Sequence, residues 1–211
     1  TGYTGDLGYE LWIPHQHAVQ VWDALIEAGR RWQLRPCGLA AMDVARVEAG
    51  FILIGVDYVS SEAAHLPDER FDPYELGLGW AVKLDKENFV GRRSLLAARD
   101  RGPARRVVPL EIEWQPLENL YLDADLMPDL PTTVCREPVP IYSTAGKQVG
   151  RATSRVWSKL LKKYLVIATL NAAHADPGAR VEMEVTVHHR RRRVVATVVK
   201  PPFFRPQRMR S

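Results

Sequence analysis

Cysteine is scarce in this 211-residue chain: Cys37 and Cys135 are the only two, far apart and outside any Cys-x-x-Cys or Cys/His ligand spacing. That excludes a disulfide-stapled scaffold and a zinc site, and leaves two reduced thiols as the expectation. No run of about 18 apolar residues occurs, so no segment reads as a membrane-spanning helix. No Gly-x-Ser-x-Gly elbow, phosphate-cradling loop or internal repeat is found, which sets aside nucleophile-elbow hydrolases, P-loop enzymes and solenoids. His15, His17, His65 and His174 share no ligand spacing, so no metal is expected. The resulting expectation is a cytoplasmic protein with neither a membrane nor a nucleic acid as partner.

What is present describes a folded protein. Hydrophobic residues make up 46% and charged residues 26%, the balance of a chain that buries a core. The length allows one large unit or two small ones, and two is the preferred reading. The net charge of +4 owes much to "HHRRRR" from His188 to Arg193 and to the closing "FFRPQRMRS". Four arginines in a row could bind phosphates, with a steep salt dependence. Their position between "VEMEVTV" and "VVATVV" favours a solvated hairpin instead.

The first hundred residues read as helices joined by loops. "GYELWIP" alternates Tyr9, Leu11 and Ile13 with Glu10 and Trp12, which predicts a strand ended by Pro14. Val19, Trp22, Leu25 and Ile26 recur at helical spacing before Gly29, predicting an amphipathic helix. "LAAMDVARVEAG" predicts a second, short helix with Ala40, Val44, Val47 and Phe51 on one side and Leu39, Met42, Asp43 and Arg46 on another. Residues 57–74 lack a period and read as a long exposed connection. "LGLGWAVKLDK" predicts a Gly-rich approach to a strand, and "GRRSLLAARDRG" a helix closed by Gly102 and Pro103. Beyond that point, short apolar runs alternate with turns, the pattern of a small β-barrel or jelly-roll module. The fold class is therefore α+β, with a boundary near residue 103.

Three places could carry chemistry. Tyr3 and Glu10 flank a glycine-rich turn, and a carboxylate there can accept two parallel N–H bonds from an amidine-like edge such as that of a pterin or guanine. A solvated strand carboxylate beside a turn tyrosine is the plainer reading of the same spacing. Trp80 could wall a flat aromatic pocket, or be a buried core residue. Asp43 and Arg46, three apart on a helix, read as an intrahelical ion pair worth only about 0.2–0.5 kcal/mol.

Five blocks in order, "TGYTGDLGYE", "PCGLAAMDVARVEAG", "LGLGWAVKLDKENFVGRRSLL", "VGRATS" and "VVKPPFF", resemble the aminomethyltransferase (glycine cleavage T-protein) family. The resemblance implies that residues 1–103 are the C-terminal part of a folate-binding α+β domain and that residues 104–211 form its C-terminal β-barrel. It also implies that the opening Thr-Gly block is a mid-chain turn, so that an N-terminal half holding the catalytic carboxylate would precede it, and the segment alone would not turn over. Tetrahydrofolate is the implied cofactor, with Tyr3 and Glu10 matching the family's folate-contacting Tyr and Glu. A small one-carbon donor or a lipoyl carrier protein is the implied partner. The family's helix block typically reads Ala-Arg-Asp, and its Arg contacts folate; here that position is Met42, while Asp43, Arg46 and Glu48 match. Loss of a guanidinium fork removes a fixed charge and its donors. Met42 therefore makes folate-dependent demethylases, and the folate domains of sarcosine- and dimethylglycine-type oxidoreductases, rivals to a true T-protein. The Lys-Gly-Cys-Tyr/Phe-like motif of the relatives that assist iron–sulfur assembly is absent. A non-catalytic module docking through its barrel and arginine run is the reading from another class.

Overall fold

The structure is a computed structural model and describes residues 2–206. Its organising element is a closed barrel of six antiparallel strands in the order β1-β4-β3-β2-β5-β6. They are β1 (Arg105–Ile112), β2 (Val139–Ser143), β3 (Gln148–Ser158), β4 (Lys163–Asn171), β5 (Arg180–Val187) and β6 (Arg190–Val198). Closure leaves no unpaired edge, which suits strands this rich in valine and isoleucine. The interior alternates along each strand: Leu110, Ile112, Ile141, Met183, Ala196 and Val198 point into one core.

β4 shows why the barrel is only half of the packing. Seven consecutive residues, from Tyr164 to Leu170, are buried. Tyr164, Val166, Ala168 and Leu170 join the barrel core. Leu165 and Ile167 face the other way and, with Val156 of β3, form a second cluster around Val47. A strand buried on both faces reads as a continuous apolar run, as "YLVIATL" does.

Val47 belongs to α2 (Leu39–Glu48), which lies against the outer face of β3 and β4. α1 (Ala18–Gly29) precedes it, flanked by short 3-10 turns, and none of its residues is buried. α3 (Arg92–Arg101) ends where expected, its Gly102 N–H bonding back to Ala98 and Arg99. α4 (Trp114–Leu122) is a helix that the sequence pattern did not suggest; it adds Leu117 and Tyr121 to the barrel core. Its Pro116 falls in the first turn, where a missing N–H costs no intrahelical bond.

Two expected strands are not found. Residues 9–13 are wholly exposed and have no regular structure, because no neighbouring strand offers the ladder that alternation alone cannot supply. "LGLGWAVKLDK" turns instead through a 3-10 segment, Gly79–Ala81, closed by a Val82 N–H to Gly79 bond. The arginine run behaves as read: His188 and His189 form the β5–β6 turn with positive φ, and Arg190 to Arg193 are exposed. Of the basic tail, residues 207–211 lie outside the described residues.

Candidate functional site

The outward face of β3 carries Ser154, Val156 and Ser158 at alternate positions, and α2 presents Arg46, Val47 and Glu48 to it. Val47 supplies the apolar contact. On one side, the Arg46 guanidinium donates from Nη2 to Ser154 Oγ at 2.8 Å. On the other, Ser158 Oγ donates to Glu48 Oε1 at 2.5 Å. The helix is thus clamped on the barrel by two polar contacts on either side of one valine.

Arg46 is the centre of a larger network. It is 0% exposed, as is Asp57. Its Nη1 donates to Asp57 Oδ2 at 2.7 Å and to the Phe51 carbonyl at 3.2 Å, and its Nε to Asp43 Oδ1 at 2.8 Å. Asp57 Oδ2 also accepts the Leu53 N–H, while Oδ1 accepts the hydroxyls of Thr153 at 2.6 Å and Ser154 at 2.7 Å. Neighbouring residues of a regular strand point to opposite faces, so one carboxylate oxygen should not reach both. The register of β3 against β4 shifts between Ala152 and Ser154, and this bulge at Thr153 turns both hydroxyls to the same side. Every polar group of this ion pair thereby has a partner, the condition under which a buried pair is tolerated.

Asp43 forms the outer end of the network, holding Arg46 on one oxygen and Arg136 Nη2 on the other at 2.7 Å. Burial alone would raise its carboxyl, but the hydrogen bonds from Arg46 and Arg136 outweigh it and leave it below the usual range. A depressed carboxyl contributes stability above its unfolded value of about 3.9 and loses it as pH falls through the folded one. Asp43→Asn should therefore lower the urea midpoint at pH 7, and this deficit should shrink below about pH 4. A midpoint difference that stays constant from pH 7 to pH 3 would show that the charge at this position contributes nothing.

The network fixes the turn after α2, and that turn lines a cavity of about 430 Å³. Its walls are mostly apolar: Phe51 and Ile52 from the turn, Leu76 to Leu78 and Trp80 from the glycine-rich segment, Pro109 from β1, and Pro201 and Pro202. Gly5 reaches it as well. A Cβ on Gly5 would lie 2.4 Å from the Ala49 Cβ, so only glycine lets the Thr-Gly turn settle here, at φ +72°.

The expected site residues divide around this cavity. The Tyr3 ring stacks on Phe51 with centroids 5.7 Å apart, and its hydroxyl donates to the Ile52 carbonyl. Burial raises its phenol above the ordinary value, with the Arg46 charge acting in the opposite direction. Trp80 lines the cavity and is 76% exposed, so it is a wall and not a core residue. Glu10 lies in the exposed segment, outside the cavity lining, and makes no hydrogen bond or ion pair among the described residues. Met42 is partly exposed on the free side of α2. Asp57, Thr153 and Ser154 were not expected; "VGRATS" held the two hydroxyls, but nothing in the spacing marked the bulge. Asp43–Arg46, read as an intrahelical ion pair, is one, and it belongs to a larger buried network.

Residues 1–86 match the model of the GCVT N-terminal domain, and residues 124–205 match that of the glycine cleavage T-protein C-terminal barrel domain. The aminomethyltransferase of Halothermothrix orenii is 36% identical over 204 residues, which are 97% of this chain and 48% of that protein. The trimethylamine-oxide aldolase of Ruegeria pomeroyi is 34% identical over 212 residues, 100% of this chain and 23% of that protein. The crystal structure of the glycine cleavage system aminomethyltransferase T of Bartonella henselae superposes with a TM-score of 0.71 at 25% identity, covering 96% of this chain and 48% of that one. The chain thus spans about half the length of the aminomethyltransferases it matches. It belongs to the aminomethyltransferase (glycine cleavage T-protein) family.

Proposed function

We propose that this chain is the part of a tetrahydrofolate-dependent one-carbon transferase that completes the folate site and carries the barrel. The observation that carries the reading is the cavity beneath Trp80, with Phe51 and Ile52 fixed at its side by Tyr3. Its volume and apolar lining are those of a small-molecule pocket, and an indole at its rim suits a planar ring. Glu10 is a carboxylate with no partner of its own, suited to the paired N–H donors of a pterin edge. Trp80 and the Phe51–Ile52 wall fit the planar ring of folate, which when bound supplies the nitrogen that takes up the one-carbon unit; Glu10, outside this lining, would meet the ring's edge from the exposed segment.

In this reading Glu10 orients the ring, Trp80 covers one face, and Tyr3 holds the Phe51–Ile52 wall. The phenol of Tyr3, raised by burial, keeps its proton and commits it to the Ile52 carbonyl, so its role is positioning and not proton transfer. The chain's contribution to rate is orientation. The catalytic carboxylate belongs to the half of the family fold that this chain does not span. The proposal places the protein in the cytoplasm, in keeping with the free thiols of Cys37 and Cys135. Its donor is a small one-carbon compound or a lipoyl carrier protein.

Met42 favours a second reading within the family. Without a guanidinium at this position, a folate-dependent demethylase or the folate domain of an amine oxidoreductase fits as well as a T-protein. The 34% identity to a trimethylamine-oxide aldolase over the whole chain points the same way.

The test is a fusion of this chain to the half of the Halothermothrix orenii aminomethyltransferase that it does not match. Titrated with a reduced folate, the Glu10→Ala fusion should bind about 10- to 100-fold more weakly, the cost of roughly 1–3 kcal/mol for leaving buried donors unpaired. Equal affinity of the two fusions would remove Glu10 from the site. Competition between glycine-derived aminomethyl donors and methylated amines would then separate the two readings.

A further inference from the structure

We infer that Arg190 and Arg192 of β6, with His188 of the turn before them, form a binding site for a phosphoryl group at the β5–β6 end of the barrel. The site shares no residue with the cavity under Trp80 and does not depend on the folate reading.

The four consecutive arginines are not equivalent, because neighbouring residues of a strand point to opposite faces. Arg191 and Arg193 lie on the outer face, where carboxylate oxygens of Glu184 and Glu182 on β5 stand 3.6 and 3.7 Å from their guanidinium nitrogens. Arg193 also covers the Tyr142 ring at 3.7 Å. Arg190 and Arg192 pair in register with Val187 and Val185, both buried residues of the barrel core, and so stand on the inward face of β6. On this strand the core ends at Val194, and both arginines lie exposed beyond it. Among the described residues, neither side chain has a hydrogen bond or an ion pair.

Instead they line a cavity of about 200 Å³, together with His188 and with Leu120 and Asp123 at the end of α4. The C-terminal end of a helix favours a nearby cation, which would give the arginines a purely structural role. The carbonyls there are already taken: Asn119, Tyr121 and Leu122 accept the N–H groups of Asp123, Ala124, Asp125 and Leu126. Among the described residues of the lining, Asp123 is the only carboxylate, and it pairs with neither arginine. Two cations against one carboxylate leave the cavity positive.

The donors and the size choose the ligand. Two residues apart on one face of a strand, the arginines start about 7 Å from each other, so both guanidinium forks can close on one tetrahedral anion. A guanidinium holds phosphate by two parallel N–H bonds, and the His188 ring has an N–H to add. At about 200 Å³ the cavity is smaller than the roughly 300–1,000 Å³ of pockets that enclose an organic ligand. It therefore takes inorganic phosphate or the phosphoryl end of a small phosphomonoester. A single nucleic-acid strand needs aromatic platforms for its bases, and the lining offers none besides the His188 ring.

The experiment titrates the full chain with inorganic phosphate and, separately, with methyl phosphate, at constant ionic strength in chloride, and follows both heat and the thermal midpoint. Saturable binding is expected, with the midpoint rising as the site fills. R190Q/R192Q should weaken it at least about tenfold, the scale of lost hydrogen bonds to a charged group, and R191Q/R193Q less than about twofold. The unliganded midpoint of R190Q/R192Q should not fall, because both side chains are exposed and without partners. Tighter binding of methyl phosphate than of phosphate would identify a phosphomonoester as the ligand, and the reverse order the free ion. Absence of saturable binding would overturn the inference. So would an equal loss in the two double variants, the mark of diffuse attraction to a basic surface. A single-stranded oligonucleotide that binds more tightly than either phosphate, and weakens in both variants, would replace the site by a nucleic-acid surface.

Discussion

Replacing Asp57 with alanine is expected to cost about 3–5 kcal/mol of stability, the range for breaking a buried ion pair by removing one partner. Arg46 has no exposure and cannot turn its guanidinium to water. Without Asp57 its only remaining charged partner would be Asp43, already shared with Arg136, beside the neutral Phe51 carbonyl and Ser154 hydroxyl. Two further donors, the Ser154 hydroxyl and the Leu53 N–H, would lose their acceptor in the same step, while the Thr153 hydroxyl would keep only the Ile167 carbonyl at 3.1 Å. Urea unfolding should show the loss as a lower midpoint at a similar slope. Replacing both ends together, with Arg46→Met and Asp57→Leu, should recover a large part of it, because no buried charge is then left alone. A loss below about 1 kcal/mol for Asp57→Ala would mean that the guanidinium is hydrated. Near the cavity the consequence should be local: the Phe51 carbonyl and the Leu53 N–H both bind this network, so the wall that Phe51 and Ile52 form should loosen.

Which parts of this arrangement the residues announced follows from the distance over which each is determined. The barrel strands were readable because alternation and turn chemistry are local, and "YLVIATL" showed by its continuity that both faces are covered. α1 and α2 followed from helical spacing in the same way. Residues 9–13 have the alternation of a strand but no partner, and hydrogen bonding of the backbone decides against it. α4 was hidden by Pro116, which argues against a helix everywhere except in its first turn. Tyr3, Glu10 and Trp80 were singled out by turn and ring chemistry, the first two also by resemblance; Trp80 lines the cavity, Tyr3 packs on its Phe51 wall, and Glu10 lies outside the lining. The Asp43–Arg46 pair was readable from its spacing, but the burial of Arg46 was not, because a three-residue spacing looks the same on a surface as in a core. What makes it central comes from Asp57, 11 residues on, and Ser154, 108 residues on, and from a bulge that no local pattern encodes.

The bulge depends in turn on a neighbour in the same strand, and Gly150→Ala is the second change expected to have a large effect. Gly150 pairs with Leu170 across the β3–β4 ladder. A Cβ at this position would lie 2.1 Å from the Thr169 carbonyl oxygen and 3.0 Å from the Leu170 Cα, both backbone atoms that no rotamer can move aside. Its φ is outside the left-handed region, so the cost is steric alone and should reach about 3 kcal/mol or more, the upper end for overpacking. Gly178 provides the opposite case, with open space around its Cβ position but φ +92°. Gly178→Ala should cost only the backbone term, roughly 1–2 kcal/mol. Equal thermal midpoints for the two variants would mean that the strands separate at no penalty. If the clash is real, β3 must move away from β4 at Gly150, four residues before Ser154, and the hydroxyls that hold Asp57 move with it. Gly150→Ala and Asp57→Ala should then be less than additive when combined, because one has already taken apart what the other removes.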